Sequence, residues 1–182
     1  CLSGYADSSE LPLNPEWYAL EEVKTESMDR TKAKELLAEM LKDQTLKIVT
    51  LEENPFREQI ASELARELSS AGVSCQVEAL APAVYKSAVN SGLYDLYVGE
   101  YRLPNDMDIT GVLNDKQLQS SWEAVQRGSS TCEAFIKGFY KQMPFLTIGF
   151  RTGLLAYSTR VKSDVLPLPG NPYANVMDWK FG

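Results

Sequence analysis

Residues 54–100, NPFREQIASELARELSSAGVSCQVEALAPAVYKSAVNSGLYDLYVGE, decide the fold of this chain. Asn54 is an N-cap, and Pro55 stands at the first helical position, where a missing N–H costs no hydrogen bond. Phe56, Ile60, Leu64 and Leu68 recur every fourth residue with Ala61, Ala65 and Ala71 beside them, one apolar face of a helix that Gly72 closes. Val73, Cys75, Val77 and Ala79 alternate with Ser74, Gln76 and Glu78 as a half-buried strand. A second helix runs from Pro82 to Asn90 and stops at Gly92, and a further strand begins at Tyr94. Strands alternating with helices of this length predict parallel pairing through right-handed crossovers. Open parallel sheets bind ligands at the carboxyl ends of their strands, so function is to be sought just after Gly99.

Working outward, Leu46 to Leu51 reads as the strand that precedes this stretch. Asp29 can cap an earlier helix whose Ala33, Leu36, Leu37, Met40 and Leu41 fall at i, i+3, i+4, i+7 and i+8. Residues 1–27 read as irregular, with Trp17 and Tyr18 pinning them to the domain. Beyond Glu100 a turn passes through Pro104 to Asp108, and a short helical piece spans Ile109 to Leu113. Leu118, Trp122 and Val125 mark one helix, and Cys132, Phe135, Ile136, Phe139, Tyr140 and Met143 mark the next, capped by Ser130 or Thr131. Phe145–Phe150 and Leu154–Ser158 read as a hairpin turning at Arg151-Thr152-Gly153, and Ala174–Trp179 as a last short strand. The fold class is therefore α/β, a mostly parallel sheet flanked by helices.

Composition narrows the function. The chain has 182 residues, room for one domain or a domain with an appendage, and 44% of them are hydrophobic. Its formal net charge is −7 with no basic run, which excludes an ordinary nucleic-acid binder. It contains no histidine, so the commonest general base and transition-metal ligand are missing. Cys1, Cys75 and Cys132 form no Cys-x-x-Cys pair; Cys75 and Cys132 read as small buried hydrophobes. No apolar run reaches the length of a membrane span, and no signal-peptide pattern is present.

No catalytic constellation assembles. Without histidine no nucleophile–base pair forms, and neither a Gly-x-Ser-x-Gly elbow nor a phosphate-binding glycine loop is present, so an enzyme is not expected. Glu52 and Glu53 beside the Asn54 cap suit the helix dipole more than acid–base work. Asp106, Asp108, Thr110 and Gly111 imitate the start of a calcium loop, yet its twelfth position is Gln117, and turn or cap roles fit the two aspartates better. No metal or cofactor is expected. Glu100, Tyr101 and Arg102 put an acid, an aromatic and a base just past a parallel strand, the groups a ligand site needs. A solvated loop with Tyr101 packed on the edge is the alternative, and position alone leaves both open.

Several stretches then resemble one family. Asp-Arg-Thr-Lys-Ala-Lys-Glu-Leu-Leu (29–37), the Asn54–Ala61 helix start leading to Gly72-Val73, Tyr85 with Tyr94-Asp95-Leu96, Met143-Pro144-Phe145-Leu146, and Asn175-Val176-Met177-Asp178-Trp179 resemble, in order and spacing, the family-5 extracytoplasmic solute-binding proteins that serve peptide and nickel ABC importers. The likeness runs over roughly residues 2–181. It implies a lobe of the periplasmic-binding-protein type: an extended lead-in over 1–28, the ligand-binding lobe over 29–163, and a tail over 164–182 that returns toward an N-terminal first lobe. Leu2 to Pro15 then resembles the junction into the second lobe, with Cys1 a truncation point and not a lipidation site. The implied ligand is a peptide or small polar solute, the implied partner an ABC transporter permease, and the implied location extracytoplasmic, with the full-length protein a lipoprotein. Glu100, Tyr101, Arg102, Asp106 and Asp108 are the ligand-binding candidates. Tyr101 keeps the aromatic character of the family's cleft motif, whereas the aspartate that meets a peptide ammonium is displaced, to Asp106 or Asp108. A free-standing α/β interaction module is the alternative function.

Overall fold

The computed structural model describes residues 4, 6–17, 20, 29–41, 43–104, 106–151, 153–168 and 171–182. Among them, in chain order, run β1 (Ala6–Ser8), α1 (Arg30–Met40), β2 (Thr45–Leu51), α2 (Pro55–Ser70), β3 (Ser74–Leu80), α3 (Pro82–Ser91), β4 (Leu96–Tyr97), α4 (Lys116–Gln126), α5 (Cys132–Gln142) and β5 (Gly149–Arg151). Single 3-10 turns cover Thr110–Val112 and Val176–Asp178. The chain divides into two compact units, one comprising Cys1 with Glu26–Glu100, the other Leu2–Thr25 with Tyr101–Gly182.

The first unit is the α/β part. Its sheet has the order β3-β2-β4, every pairing parallel, with Thr45 opposite Ser74, Leu51 opposite Leu80, and Ile48 opposite Leu96. From β2 the chain crosses one way to β3 and then back past β2 to β4, so right-handed crossovers set α2 and α3 on opposite faces. Asn54 caps α2 as the sequence predicts, its Oδ1 accepting from the Arg57 amide at 3.1 Å. Ile60 and Ala61 of α2 pack on Ile48 and Val98, with Phe56, Leu64, Ala65 and Leu68 around them. Helix α3 ends on Gly92, whose φ of 65° is left-handed and open to glycine without strain. Asp29 caps α1 through the Lys32 amide, but the apolar spacing of α1 does not become a core face: no α1 residue is buried, and Leu36 and Met40 are exposed.

The second unit packs α4 and α5 with loop side chains such as Leu13, Met107 and Ile109, carries the two-stranded β1–β5 sheet, and ends in a long irregular tail. Trp122, Phe135, Ile136 and Phe139 are fully buried with Leu118, and Trp17 packs its ring against Trp122 at 5.7 Å between centroids. Trp17 thus pins the lead-in segment as expected; Tyr18 lies outside the described residues. Asp115 and Thr131 cap α4 and α5.

Two sequence expectations do not hold. The 145–158 hairpin does not form: β5 is only Gly149–Arg151 and pairs antiparallel with β1, Ala6 opposite Arg151. Leu154–Ser158 is irregular and exposed, and Thr152 of the expected turn lies outside the described residues. Ala174–Trp179 is no strand either; the Val176–Asp178 turn sits there instead. Asn175 closes it, its Oδ1 accepting from Trp179 Nε1 and the Leu166 amide while its Nδ2 donates to the Asp164 carbonyl. Short apolar runs are compatible with both strand and turn, and here the Asn175 side chain ties the segment back to Asp164 and Leu166.

Candidate functional site

The carboxyl edge of the parallel sheet is formed by the ends of β2 and β4 and the first turn of α2. Asp95, of the Tyr-Asp-Leu motif, lies at the opposite edge; its Oδ2 accepts from the Lys47 amide at 2.7 Å and so fixes where β4 begins beside β2. The chain then runs out through Val98, whose amide donates to the Val49 carbonyl at 3.0 Å and whose carbonyl accepts from Tyr85 Oη at 2.9 Å. Burial pushes the Tyr85 phenol above its usual range, the nearby Arg57 charge opposing that rise and Tyr97 and Tyr94 adding to it.

Glu100 stands immediately beyond. Its Oε2 accepts from Arg57 Nη2 at 3.1 Å, joining the strand exit to the first turn of α2. The Arg57 side chain is only 15% exposed against 39% for Glu100. Two polar atoms nearby in sequence, Arg57 Nε and Thr50 Oγ1 at the end of β2, are buried without a hydrogen-bond partner. Thr50 is the single fully buried polar residue of the described core. Tyr97 lies half-exposed on the same exit, edge-on to Tyr94. Sequence reading missed Arg57 as the partner of Glu100. The signal was present in outline: a basic residue in the first turn of a helix, on the side that faces the sheet, opposes the dipole and therefore calls for an acid close by.

The remaining candidates belong to the second unit. Tyr101 is exposed, with its hydroxyl laid against the backbone of Gly111, where an added Cβ would stand 2.9 Å from it. Arg102 is exposed. Asp106 Oδ1 accepts from the Asp108 amide at 3.2 Å, and Asp108 Oδ1 accepts from both the amide and the hydroxyl of Thr110, at 2.9 and 2.6 Å. These are Asx turns: a short carboxylate satisfies the amide two residues on and bends the chain. Met107 and Ile109 alternate with them and are buried in the helical core, so the loop is nailed down by two apolar side chains while its carboxylates build the turn. Among the described residues no three His, Cys, Asp or Glu side chains converge on a point that could hold a metal ion.

No protein-family model matches the sequence, and no curated protein does. Solved structures match over almost the whole chain. A putative peptide-binding protein, AppA, from Clostridium difficile is 19% identical, with a TM-score of 0.72 over 100% of this chain and 44% of its own. The oligopeptide-binding protein AppA from Bacillus subtilis, in complex with a nonapeptide, is 14% identical, with a TM-score of 0.67 over 100% and 44%. NikZ from Campylobacter jejuni, in complex with Ni(L-His), is 18% identical, with a TM-score of 0.67 over 98% and 44%. This chain therefore has the fold of the periplasmic-binding-protein-like solute receptors. The likeness to the peptide- and nickel-type group seen in its motifs holds for the fold, and the chain spans less than half the length of each of these proteins.

Proposed function

We propose that this chain is one lobe of the substrate-binding component of an ABC importer, which takes a peptide or another small polar solute at a cleft between lobes. The observation that carries the reading is the fold match itself: it extends over 98–100% of this chain yet 44% of receptors solved with a bound nonapeptide or nickel–histidine complex. The parallel sheet presents its carboxyl edge at the end of β4, where ligands of such folds bind. In this reading the mechanism is binding without covalent change. Tyr101 supplies an apolar wall; Arg102 meets a ligand carboxylate or the opposite lobe; Asp106 and Asp108 hold their loop in place or receive a ligand ammonium. Glu100 meets a ligand cation in exchange for part of its pairing to Arg57.

The partner lobe, in the rest of the full-length protein, packs on the tail over 164–182, and the extended segment over 1–28 leads into the lobe that spans 29–163. Exposed apolar side chains support that packing: Met177 is 94% exposed, with Leu166, Leu168 and Phe181 also open, and Leu154 ahead of the tail is 97% exposed. The receptor works outside the cytoplasm, lipid-anchored as a full-length protein, and delivers its ligand to a permease. Among the described residues no helix is long and apolar enough to cross a membrane.

The test is calorimetric titration of the full-length protein and of this chain with mixed short peptides. Saturable binding by the full-length protein, much weakened in the lone lobe because half of the burying surface is gone, is the expected result. Absence of binding by both, or turnover of the peptide, would overturn the reading.

A further inference from the structure

Tyr97 sits on β4, but its ring is displaced along the strand. A Cβ built on Gly99 would stand 2.7 Å from Tyr97 Cε2 and 3.3 Å from Cδ2. The ring therefore lies across the bare backbone of Gly99, two residues toward the carboxyl end and on the same side of the strand. Any side chain at 99 would push it off. Tyr94 holds the ring from its other flank, with centroids 5.1 Å apart and planes at 71°. Ring pairs of this edge-to-face kind are favoured, and 47% of Tyr97 is left exposed. A solvated tyrosine serving only as a strand residue needs neither device.

We infer that Tyr97 is a specificity-determining residue of the proposed ligand site, its exposed ring face receiving an aromatic side chain of a peptide ligand. The inference rests on the reading of this chain as a solute-binding lobe. It goes further by naming the ligand class and a residue that sequence reasoning passed over. Three observations within the first unit carry it: the ring is at the carboxyl edge of the parallel sheet, it is held there by a neighbour on one side and a glycine beneath, and its free face is open. The charged pair Arg57–Glu100 lies further along the chain, past the end of β4, where it joins the strand exit to the first turn of α2. For a planar group meeting an exposed ring, an offset or edge-on contact is the favoured geometry.

The experiment uses the full-length protein and an equimolar pool of short synthetic peptides, half carrying one Phe, Tyr or Trp and half carrying none, with retained peptides read by mass spectrometry. The unaltered protein is expected to enrich the aromatic half by about tenfold, the size of one good ring contact. Tyr97→Phe keeps the enrichment, Tyr97→Ala loses it while still retaining peptides, and Gly99→Ala, which leaves the ring in the chain but displaces it, reduces it. Equal enrichment in Tyr97→Ala and the unaltered protein overturns the inference and leaves the receptor reading standing. So does an equal loss of both halves in Tyr97→Ala, which marks the ring as structural; a thermal melt of each variant accompanies the assay. Retention of no peptide by the unaltered protein overturns the receptor reading and this inference with it.

Discussion

Arg57 donates from Nη2 to Glu100 Oε2 across 3.1 Å, which ties the first turn of α2 to the exit of β4. The two residues are 43 positions apart, and the contact closes the βαβαβ path from β2 to β4 at its carboxyl end. Its consequences differ for the two partners because their burial differs. Glu100→Gln removes one charge from a partly exposed pair and is expected to cost no more than about 1 kcal/mol of stability. Arg57→Ala is expected to cost more, because the stem of this largely covered side chain packs as well as pairs. Arg57→Met restores the stem and removes the buried, unpartnered Nε, so it should recover most of the loss. Urea melts of the three variants check the order, and Arg57→Met falling below Arg57→Ala would show that charge, not packing, dominates.

Tyr85 offers a pH-dependent readout of the same exit. Its phenol donates to the Val98 carbonyl, and burial, the largest cause, raises its ionisation above the ordinary tyrosine range. A raised folded-state value means that the unfolded chain releases the proton first as pH rises. The stabilisation is therefore complete below the unfolded value of about 10 and is lost as pH climbs through the folded value. Tyr140, whose hydroxyl donates to the Glu10 carbonyl, is shifted the same way and adds to the effect. Tyr85→Phe is expected to lower stability at neutral pH by about 1 kcal/mol and to flatten the alkaline decline. Melting temperatures measured from neutral pH to above the tyrosine range test this, and an unchanged alkaline slope in Tyr85→Phe would refute it.

The helical unit depends on Trp122, which is fully buried between Trp17 and Phe135. Trp122→Ala leaves a large cavity and is expected to cost about 3–5 kcal/mol. Trp122 Nε1 is buried without a hydrogen-bond partner. Trp122→Phe consequently removes an unsatisfied donor while keeping a ring, and the two effects offset in part. Chemical denaturation followed by far-UV circular dichroism should find Trp122→Phe much closer to the unaltered protein than to Trp122→Ala.

The parts of the fold legible in the sequence were those with two agreeing signals. Helix α2 has a cap, a proline at its first position, a four-residue apolar repeat and a closing glycine, and β2 and β3 flank it at crossover distance, so the parallel sheet followed. Where a single signal stood alone it was ambiguous. Only the end of the apolar run, with Arg151, pairs with Ala6–Ser8, a long-range partner that no local pattern announces, and Asn175 turns the end of the tail through hydrogen bonds invisible to periodicity. The candidate site divides in the same way. The Asx turns of Asp106 and Asp108 could be read from residue type, whereas the Arg57–Glu100 pair and the ring of Tyr97 over Gly99 exist only once strand exit and helix start are brought together.

Leu154 and Met177 test the proposed packing of a partner lobe on the second unit. Both are almost wholly exposed in this chain, and side chains in water contribute little to its own stability. Leu154→Ser and Met177→Ser are therefore expected to leave the melting curve of the lone chain within about 0.5 kcal/mol of the unaltered one. In the full-length protein the same side chains would lie between lobes, and burial of a leucine or methionine side chain is worth about 1.5–3 kcal/mol. There each substitution should lower stability by an amount of that order. The comparison between the two backgrounds is the decisive quantity, since an effect of equal size in both would place the side chains in a contact internal to this chain. No effect in either would leave them at a solvated surface and remove the tail from the proposed lobe interface. A large loss confined to the full-length protein is the result that the exposed apolar side chains between Leu146 and Phe181 lead one to expect, because clustered exposed apolar surface marks an interaction site.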